Sequence, residues 1–174
     1  MAAQGTSTDG DIGWPSLAGL RGAHVFLHDG VWYGVVASYD EDAITIMDLS
    51  DANSPMPLAE MRHNIASGQY LRGAQGLTTF SVNGVLWLAV AASGSNAVQL
   101  IDITEPALPE AVTVCIDGQS GFTALGGVRD VVAFSREGGT FLLAVSDGDS
   151  AVQLIDVSAR AAHLRPRPPL PNPP

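Results

Sequence analysis

The chain repeats itself at a fixed interval of 54 residues, and this interval constrains the fold more than any other feature. Three octapeptides align without gaps, and each carries an aspartate at the same place: Asp48, Asp102 and Asp156. The same interval relates three phenylalanines and three glycines: Phe26, Phe80 and Phe134, then Gly30, Gly84 and Gly138. Strict self-similarity over tens of residues is typical of repeat architectures in which each unit packs on its neighbours.

Each unit consists of short strands joined by tight turns. In the second unit the dipeptide Asn83-Gly84 is the strongest two-residue hairpin signal. Strands are predicted around it at 77–82, 85–92, 97–104 and 111–116. Several strands are apolar on both sides, which favours a sheet covered on both faces, and no segment has a sustained helical period. We therefore predict an all-β fold, a partial β-propeller of about three antiparallel four-stranded blades with the third incomplete.

The third unit departs from the pattern after Ser158, where the Pro-containing turn and a clear fourth strand are missing. The sequence predicts five segments along the chain. They are a loose leader over 1–17 with Trp14 as a docking point, blade 1 over 18–64, blade 2 over 65–117, an incomplete blade 3 over 118–158, and a Pro-rich extended tail over 159–174.

An arc of three blades leaves the outer faces of its first and last blades uncovered. Closed propellers have about four to eight blades, and the strands that form these outer faces are apolar. Two arrangements would cover them. Two chains could join head to tail, or the chain could be one part of a longer repeat protein, which we favour from the break after Ser158.

The segment AVQLIDITEPALPEAV, residues 97–112, resembles the LVIVD repeat family of β-propeller proteins. In that family an apolar run precedes an Asp, a Ser or Thr, and a turn with two prolines. The second unit matches best, the first has Ala52 where the first proline belongs, and the third departs after Ser158. The resemblance covers roughly residues 20–158. The resemblance implies a propeller. The family has no shared reaction, so no active-site residues carry over. Its members are often exported or attached to the cell surface.

The charge of the chain limits its partners. Eighteen acidic and eight basic residues give a net charge of −10, and every basic residue is arginine. Without lysine, Schiff-base chemistry and the phosphate-binding lysine of a P-loop are excluded. The acidic surface argues against nucleic acid and anionic membranes. No apolar run is long enough to span a bilayer, so membrane insertion is not expected.

The N-terminus is polar and lacks the apolar core of a signal peptide. We therefore expect a cytoplasmic protein by default, and an extracellular or surface protein if the chain is a fragment of a longer family member.

The repeat aspartates have two interpretations. They could form a ring of carboxylates around the axis that binds a cation, or each could accept hydrogen bonds from the backbone of its own turn. We favour the second, and assign the aspartates and the hairpin glycines a structural role: Asp48, Asp102, Asp156, Gly30, Gly84 and Gly138.

No catalytic, cofactor-binding or metal site is predicted. His24 and His28 would lie about 13 Å apart on a strand, too far for one metal, and His63 and His163 have no partner nearby in sequence. The acidic segments 40–42 and 147–149 could be calcium sites or solvated turns, and we favour solvated turns because the spacing supplies too few oxygen ligands. Cys115, the single cysteine, lies in a predicted strand as a buried thiol.

The tail carries a basic-x-x-Pro-x-x-Pro pattern through Arg165, Pro168 and Pro171. SH3 domains accept such segments because polyproline II is preformed and arginine pairs with an acidic rim. A passive tail is the favoured alternative.

These observations favour a non-catalytic propeller module that acts as a protein-interaction or ligand-binding scaffold, with a protein partner or a second copy. The alternative is a hydrolase or lyase whose axial site forms only in a completed ring. An enzyme needs one blade with catalytic groups that the others lack, and the sequence places no nucleophile–base pair.

Overall fold

The computed structural model of the chain describes residues 5–8, 14 and 17–158. They form strands and two short 3₁₀ turns, Ile65–Ser67 and Ser93–Ser95. The strands are β1 (Leu20–His28), β2 (Val31–Ser38), β3 (Ala43–Asp48), β4 (Met56–Arg62), β5 (Ala74–Val82), β6 (Val85–Ala92), β7 (Ala97–Asp102), β8 (Glu110–Ile116), β9 (Val128–Arg136), β10 (Gly139–Ser146) and β11 (Ala151–Asp156). Over these residues no helix is long and apolar enough to cross a membrane.

The strands form three antiparallel sheets in which neighbours in sequence are neighbours in space. Blade 1 contains β1–β4, blade 2 contains β5–β8, and blade 3 contains β9–β11. The predicted all-β partial propeller is therefore confirmed. Within the described residues the third blade has three strands where the others have four.

Three strand ends of blade 2 differ from the prediction, and one of them, the start of β8 at Glu110 rather than residue 111, differs by one residue. β7 ends at Asp102 rather than residue 104, because the Asp102 side chain accepts a hydrogen bond from the Thr104 backbone N–H at 2.9 Å and turns the chain. β5 begins at Ala74, earlier than predicted. A β-bulge between Ala74 and Leu77 keeps this extra length paired with β6.

The blades stack face to face, with β5 between β1 and β9 as the innermost strands. Blade 2 is covered on both faces, which explains why its strands are apolar on both sides. One apolar cluster joins blades 1 and 2, and includes Val35, Ile46, Leu88 and Ile101. A second joins blades 2 and 3, and includes Trp87, Leu100, Leu142 and Ile155.

Glycines let the innermost strands approach one another. A Cβ atom on Gly22 would lie 1.8 Å from the Gln75 carbonyl oxygen, and one on Gly76 would lie 2.5 Å from the Asp130 Cα atom. Gly22 and Gly76 are one repeat apart. The repeat therefore preserves a backbone contact between adjacent blades that no larger residue permits.

The first hairpin of each blade is a two-residue turn with both residues at positive φ. Gly30, Gly84 and Gly138 have φ of 80°, 79° and 81°, and the residues before them have φ of 49°, 53° and 53°. These are the φ values of type I′ turns, as the sequence predicts from Asp-Gly and Asn-Gly.

Two described residues of the N-terminal leader pack on blade 1. Trp14 and Leu17 are buried in a cluster with Met47, beside Val36 and Leu49. The residues one repeat after Met47, Val36 and Leu49 are side chains of blade 2 that face blade 1. The leader thus contacts blade 1 where a preceding blade would lie.

Candidate functional site: the uncovered third blade

Strands β7 and β11 have one sequence, Ala-Val-Gln-Leu-Ile-Asp, in two different environments. Val98 and Leu100 of β7 are 0% and 3% exposed, whereas Val152 and Leu154 of β11 are 64% and 54% exposed. Since the sequences are identical, the difference comes from the neighbours. Blade 3 covers this face of blade 2, and among the described residues nothing equivalent covers the same face of blade 3.

The exposed surface of blade 3 is contiguous across its three strands. We name it the uncovered face, and define it by its exposed apolar side chains: Val132, Phe134, Leu143, Val145, Val152 and Leu154. Phe134 stacks on Phe141 with ring centroids 5.6 Å apart. These rings and Leu154 line an open groove of about 420 Å³. Contiguous apolar surface of this kind marks interaction sites in soluble proteins.

The outer edge of β11 is a second unpaired feature. In blade 2 the Asn96 carbonyl accepts a hydrogen bond from Asp117, on the β8 side, whereas Ile103 donates to Leu86, on the β6 side. Backbone groups alternate in direction along a strand, so even-numbered residues of β7 face β8. By the same alternation Val152 and Leu154 direct their backbone N–H and C=O groups to the outer edge of β11. Among the described residues β11 pairs with β10 alone.

Strands β7 and β11 each carry a glutamine that accepts a hydrogen bond from a loop N–H. The Gln99 side chain accepts a hydrogen bond from the Tyr70 N–H at 2.8 Å and donates to the Thr113 carbonyl of β8 at 2.9 Å. One repeat later, Gln153 accepts from the Thr123 N–H at 3.3 Å. Its amide donates to Leu154 at 3.4 Å, the counterpart of a second bond that Gln99 makes within its own strand.

The repeat aspartates anchor turns. Asp48, Asp102 and Asp156 accept hydrogen bonds from the backbone N–H two residues later, at 2.7, 2.9 and 2.9 Å. Hydrogen bonds from the side chains of Ser50 and Ser158, together with these backbone bonds, lower the pKa of Asp48 and Asp156 below the usual range. All three lie on the third strand of a blade, two strands away from the innermost one, so the structure does not gather them around the axis.

The acidic turn at 40–42 connects blade 1 to blade 2, whereas the turn at 147–149 bonds within its own blade. Asp42 accepts a hydrogen bond from Gly73 of blade 2 at 2.7 Å, and Asn96, one repeat later, accepts one from Gly127 of blade 3 at 2.8 Å. In the third turn Asp147 pairs with Arg129, which lowers the pKa of Asp147 and raises that of the guanidinium. Within the described ranges no group of three or more His, Cys, Asp or Glu is placed to hold a metal ion.

The described histidines also bind other parts of the scaffold. His24 hydrogen-bonds to Thr79 of blade 2 at 2.9 Å, and His28 to the Thr104 carbonyl at 3.0 Å. His63 accepts a hydrogen bond from the Leu71 N–H at 3.2 Å. Burial lowers the pKa of His24. Cys115 is buried between blades 2 and 3.

The proposed SH3-binding residues Arg165, Pro168 and Pro171 lie outside the described residues, as does His163.

One axial residue is absent from the sequence-based predictions. Asp130 occupies in β9 the repeat position of Gly22 and Gly76, and it is the one carboxylate in the three innermost strands. Its side chain is exposed and accepts a hydrogen bond from the Val131 N–H at 2.9 Å. The break in the repeat, from two glycines to an aspartate, is the signal that identifies it.

Among solved structures, a galactanase and a galactosidase resemble the chain. An exo-β-1,3-galactanase from Phanerochaete chrysosporium, bound to β-1,3-galactotriose, matches over 71% of the chain with a TM-score of 0.52 and 10% identity. A GH43 β-1,3-galactosidase bound to galactodeoxynojirimycin matches over 88% with a TM-score of 0.54 and 11% identity. The chain spans 28% and 62% of the lengths of these two proteins. At such identities the likeness supports the propeller fold.

No protein-family model matches the chain, and no curated protein matches it. The resemblance to LVIVD repeats stays a prediction. Blade 3 differs from blade 2 in its uncovered face and its unpaired edge. These two features together form the candidate site.

Proposed function

We propose that the chain is a non-catalytic propeller module that binds a protein partner through the uncovered face of blade 3. One observation carries the proposal. Val152 and Leu154 are largely exposed, although the same residues one repeat earlier are buried under a neighbouring blade. Full burial of one such side chain contributes about 1.5–3 kcal/mol, so a partner that covers six of them has a substantial driving force.

The partner that fits this face is a β-sheet with an apolar surface. Each blade contact within the chain joins two such surfaces, and the uncovered face continues the same arrangement. Leu143 and Val145 stand where blade 2 has Ala89 and Ala91. The partner sheet should therefore carry smaller side chains opposite these two residues than blade 3 presents to blade 2.

Light scattering tests the proposal without a known partner. An exposed face of this size should drive weak self-association, so the mass should rise above 18.0 kDa with concentration. The double variant Leu143→Glu/Leu154→Glu should stay at the monomer mass. Ile65→Glu/Leu108→Glu is the matched control, since it adds the same charge at two exposed apolar residues elsewhere. Equal behaviour of the two double variants would contradict the proposal.

The enzyme alternative has one observation in its favour. Asp130 is exposed beside the axis, and proteins that resemble the chain in fold bind or cleave β-1,3-galactosides. Glycoside hydrolysis normally needs two carboxylates that flank the bond, and the innermost strands supply one. We therefore expect the isolated chain to release no galactose from β-1,3-galactotriose. Turnover that Asp130→Asn abolishes would establish the alternative instead.

A further inference from the structure

The unpaired edge of β11 has an internal precedent in β7. With the identical sequence, β7 pairs with β8 in an antiparallel register that runs from Ala97 opposite Ile116 to Asp102 opposite Glu110. The register shifts at a β-bulge between Leu100 and Ile101. β11 therefore has the same sequence as β7 and the same pairing on its inner side, and β7 accepts a fourth strand.

Gln153 adds a side-chain feature to this edge. Its counterpart Gln99 spans from a loop N–H to the carbonyl of Thr113 on β8. Gln153 already holds the equivalent loop N–H, that of Thr123. Its amide nitrogen lies at the position from which Gln99 reaches the fourth strand, so an added strand would gain a side-chain hydrogen bond as well as backbone ones.

The sequence at the offset of a fourth strand differs in composition from β4 and β8. In blades 1 and 2 the fourth strand begins eight residues after the repeat aspartate, at Met56 and Glu110. The same offset from Asp156 gives residues 164–170, Leu-Arg-Pro-Arg-Pro-Pro-Leu. Proline has no N–H to donate to a ladder. This seven-residue sequence contains three prolines, so a partner segment without proline offers more N–H donors to the edge of β11.

We propose that the outer edge of β11 binds an extended segment of a partner protein by antiparallel strand addition, which completes blade 3. The proposal rests on the proposed function, because it concerns the same surface, and it specifies how the partner engages. Backbone hydrogen bonds to Val152 and Leu154 supply the attachment. The bound segment resembles Glu110–Ile116: it is rich in β-branched and apolar residues and lacks proline.

A peptide of residues 108–118 with Cys115→Ser is the probe, because β8 already pairs with a strand of the β11 sequence. Fluorescence anisotropy measures its binding to the full chain, at a concentration where light scattering gives the monomer mass. In β8 the backbone of residues 113 and 115 faces β7, and that of Val114 faces away. N-methylation at residue 115 should weaken binding at least tenfold, and N-methylation at Val114 should leave it unchanged.

Hydrogen exchange locates the bound peptide. The amides of Val152 and Leu154 should become protected when peptide is added, while those of β7 stay as they were. Val152→Pro should abolish binding with little change in Tm, because it removes an N–H that faces the outer edge and not β10. If Val152→Pro unfolds the chain, the two N-methylated peptides still decide the question.

Each other outcome overturns the strand-addition proposal. Equal affinities of the two N-methylated peptides, or no binding of the parent peptide, would show that β11 accepts no strand. A dimer without peptide that Val152→Pro dissociates, and that Leu143→Glu leaves intact, would show that a second copy occupies the edge. The proposed function is refuted separately, since it depends on the side-chain variants of the uncovered face.

Discussion

The identical strands β7 and β11 permit one stability experiment with an internal control. Leu100→Ala and Leu154→Ala make the same change in the same hexapeptide, so the local sequence effects are matched. Leu100 is 3% exposed and Leu154 is 54% exposed. A buried Leu→Ala change costs about 2–5 kcal/mol, which includes the cavity left behind. The Leu154 side chain loses less than half of a burial worth about 1.5–3 kcal/mol and leaves no cavity. We expect Leu154→Ala to cost about 0.7–1.4 kcal/mol.

Urea denaturation of both variants at low protein concentration, followed by tryptophan fluorescence, measures these free energies of unfolding. A loss at Leu154 as large as that at Leu100 would refute the reasoning, because it would mean that the uncovered face is covered in solution. The same measurement is informative once a partner is bound. The cost of Leu154→Ala should then rise toward that of Leu100→Ala, and the difference between the two states measures how fully the partner covers this residue.

Two further predictions concern the scaffold. Gly22→Ala should destabilise the chain more than Gly84→Ala in the same denaturation assay. A Cβ atom at residue 22 would lie 1.8 Å from a carbonyl oxygen, whereas Gly84 faces open space. For Gly84→Ala, strain at positive φ costs about 1 kcal/mol. Burial lowers the pKa of His24 from 6.5, so the unfolded chain binds its proton first and stability should fall as pH drops below that value. His24→Gln should flatten this dependence of the unfolding free energy, and an unchanged slope would contradict the assignment.

Much of the fold follows from the sequence because repeats reveal local structure directly. The 54-residue interval predicts stacked blades, and the dipeptides Asp29-Gly30 and Asn83-Gly84 predict hairpins with both residues at positive φ. Such signals depend on a few neighbouring residues, so no knowledge of the tertiary structure is needed. Within the described residues blade 3 has three strands, in line with the change of sequence pattern after Ser158.

The count of three blades predicted an uncovered outer face on the last one, but the residues of a single strand do not reveal its environment, because that depends on what packs against it. The sequence Ala-Val-Gln-Leu-Ile-Asp is buried on both faces in β7 and on one face in β11, and no local rule distinguishes the two. The acidic turn at 40–42 illustrates the same limit. Asp42 has the composition of a solvated turn, but the stacking of blades gives it the backbone N–H of Gly73 as a partner.

The uncovered face and the unpaired edge of blade 3 are physically coupled. The affinity expected of a ligand therefore depends on whether it contacts one of them or both. A strand added to β11 widens the sheet, and its side chains extend the uncovered face by one more row. An isolated peptide gains the edge hydrogen bonds, each worth only about 0.5–1.5 kcal/mol net, and must lose its own conformational freedom. It should therefore bind weakly. A partner that supplies both the strand and a packing sheet gains the face as well, and once the strand is bound the second contact forms at a high effective concentration. The edge thus provides register and direction, and the apolar face provides most of the free energy of binding.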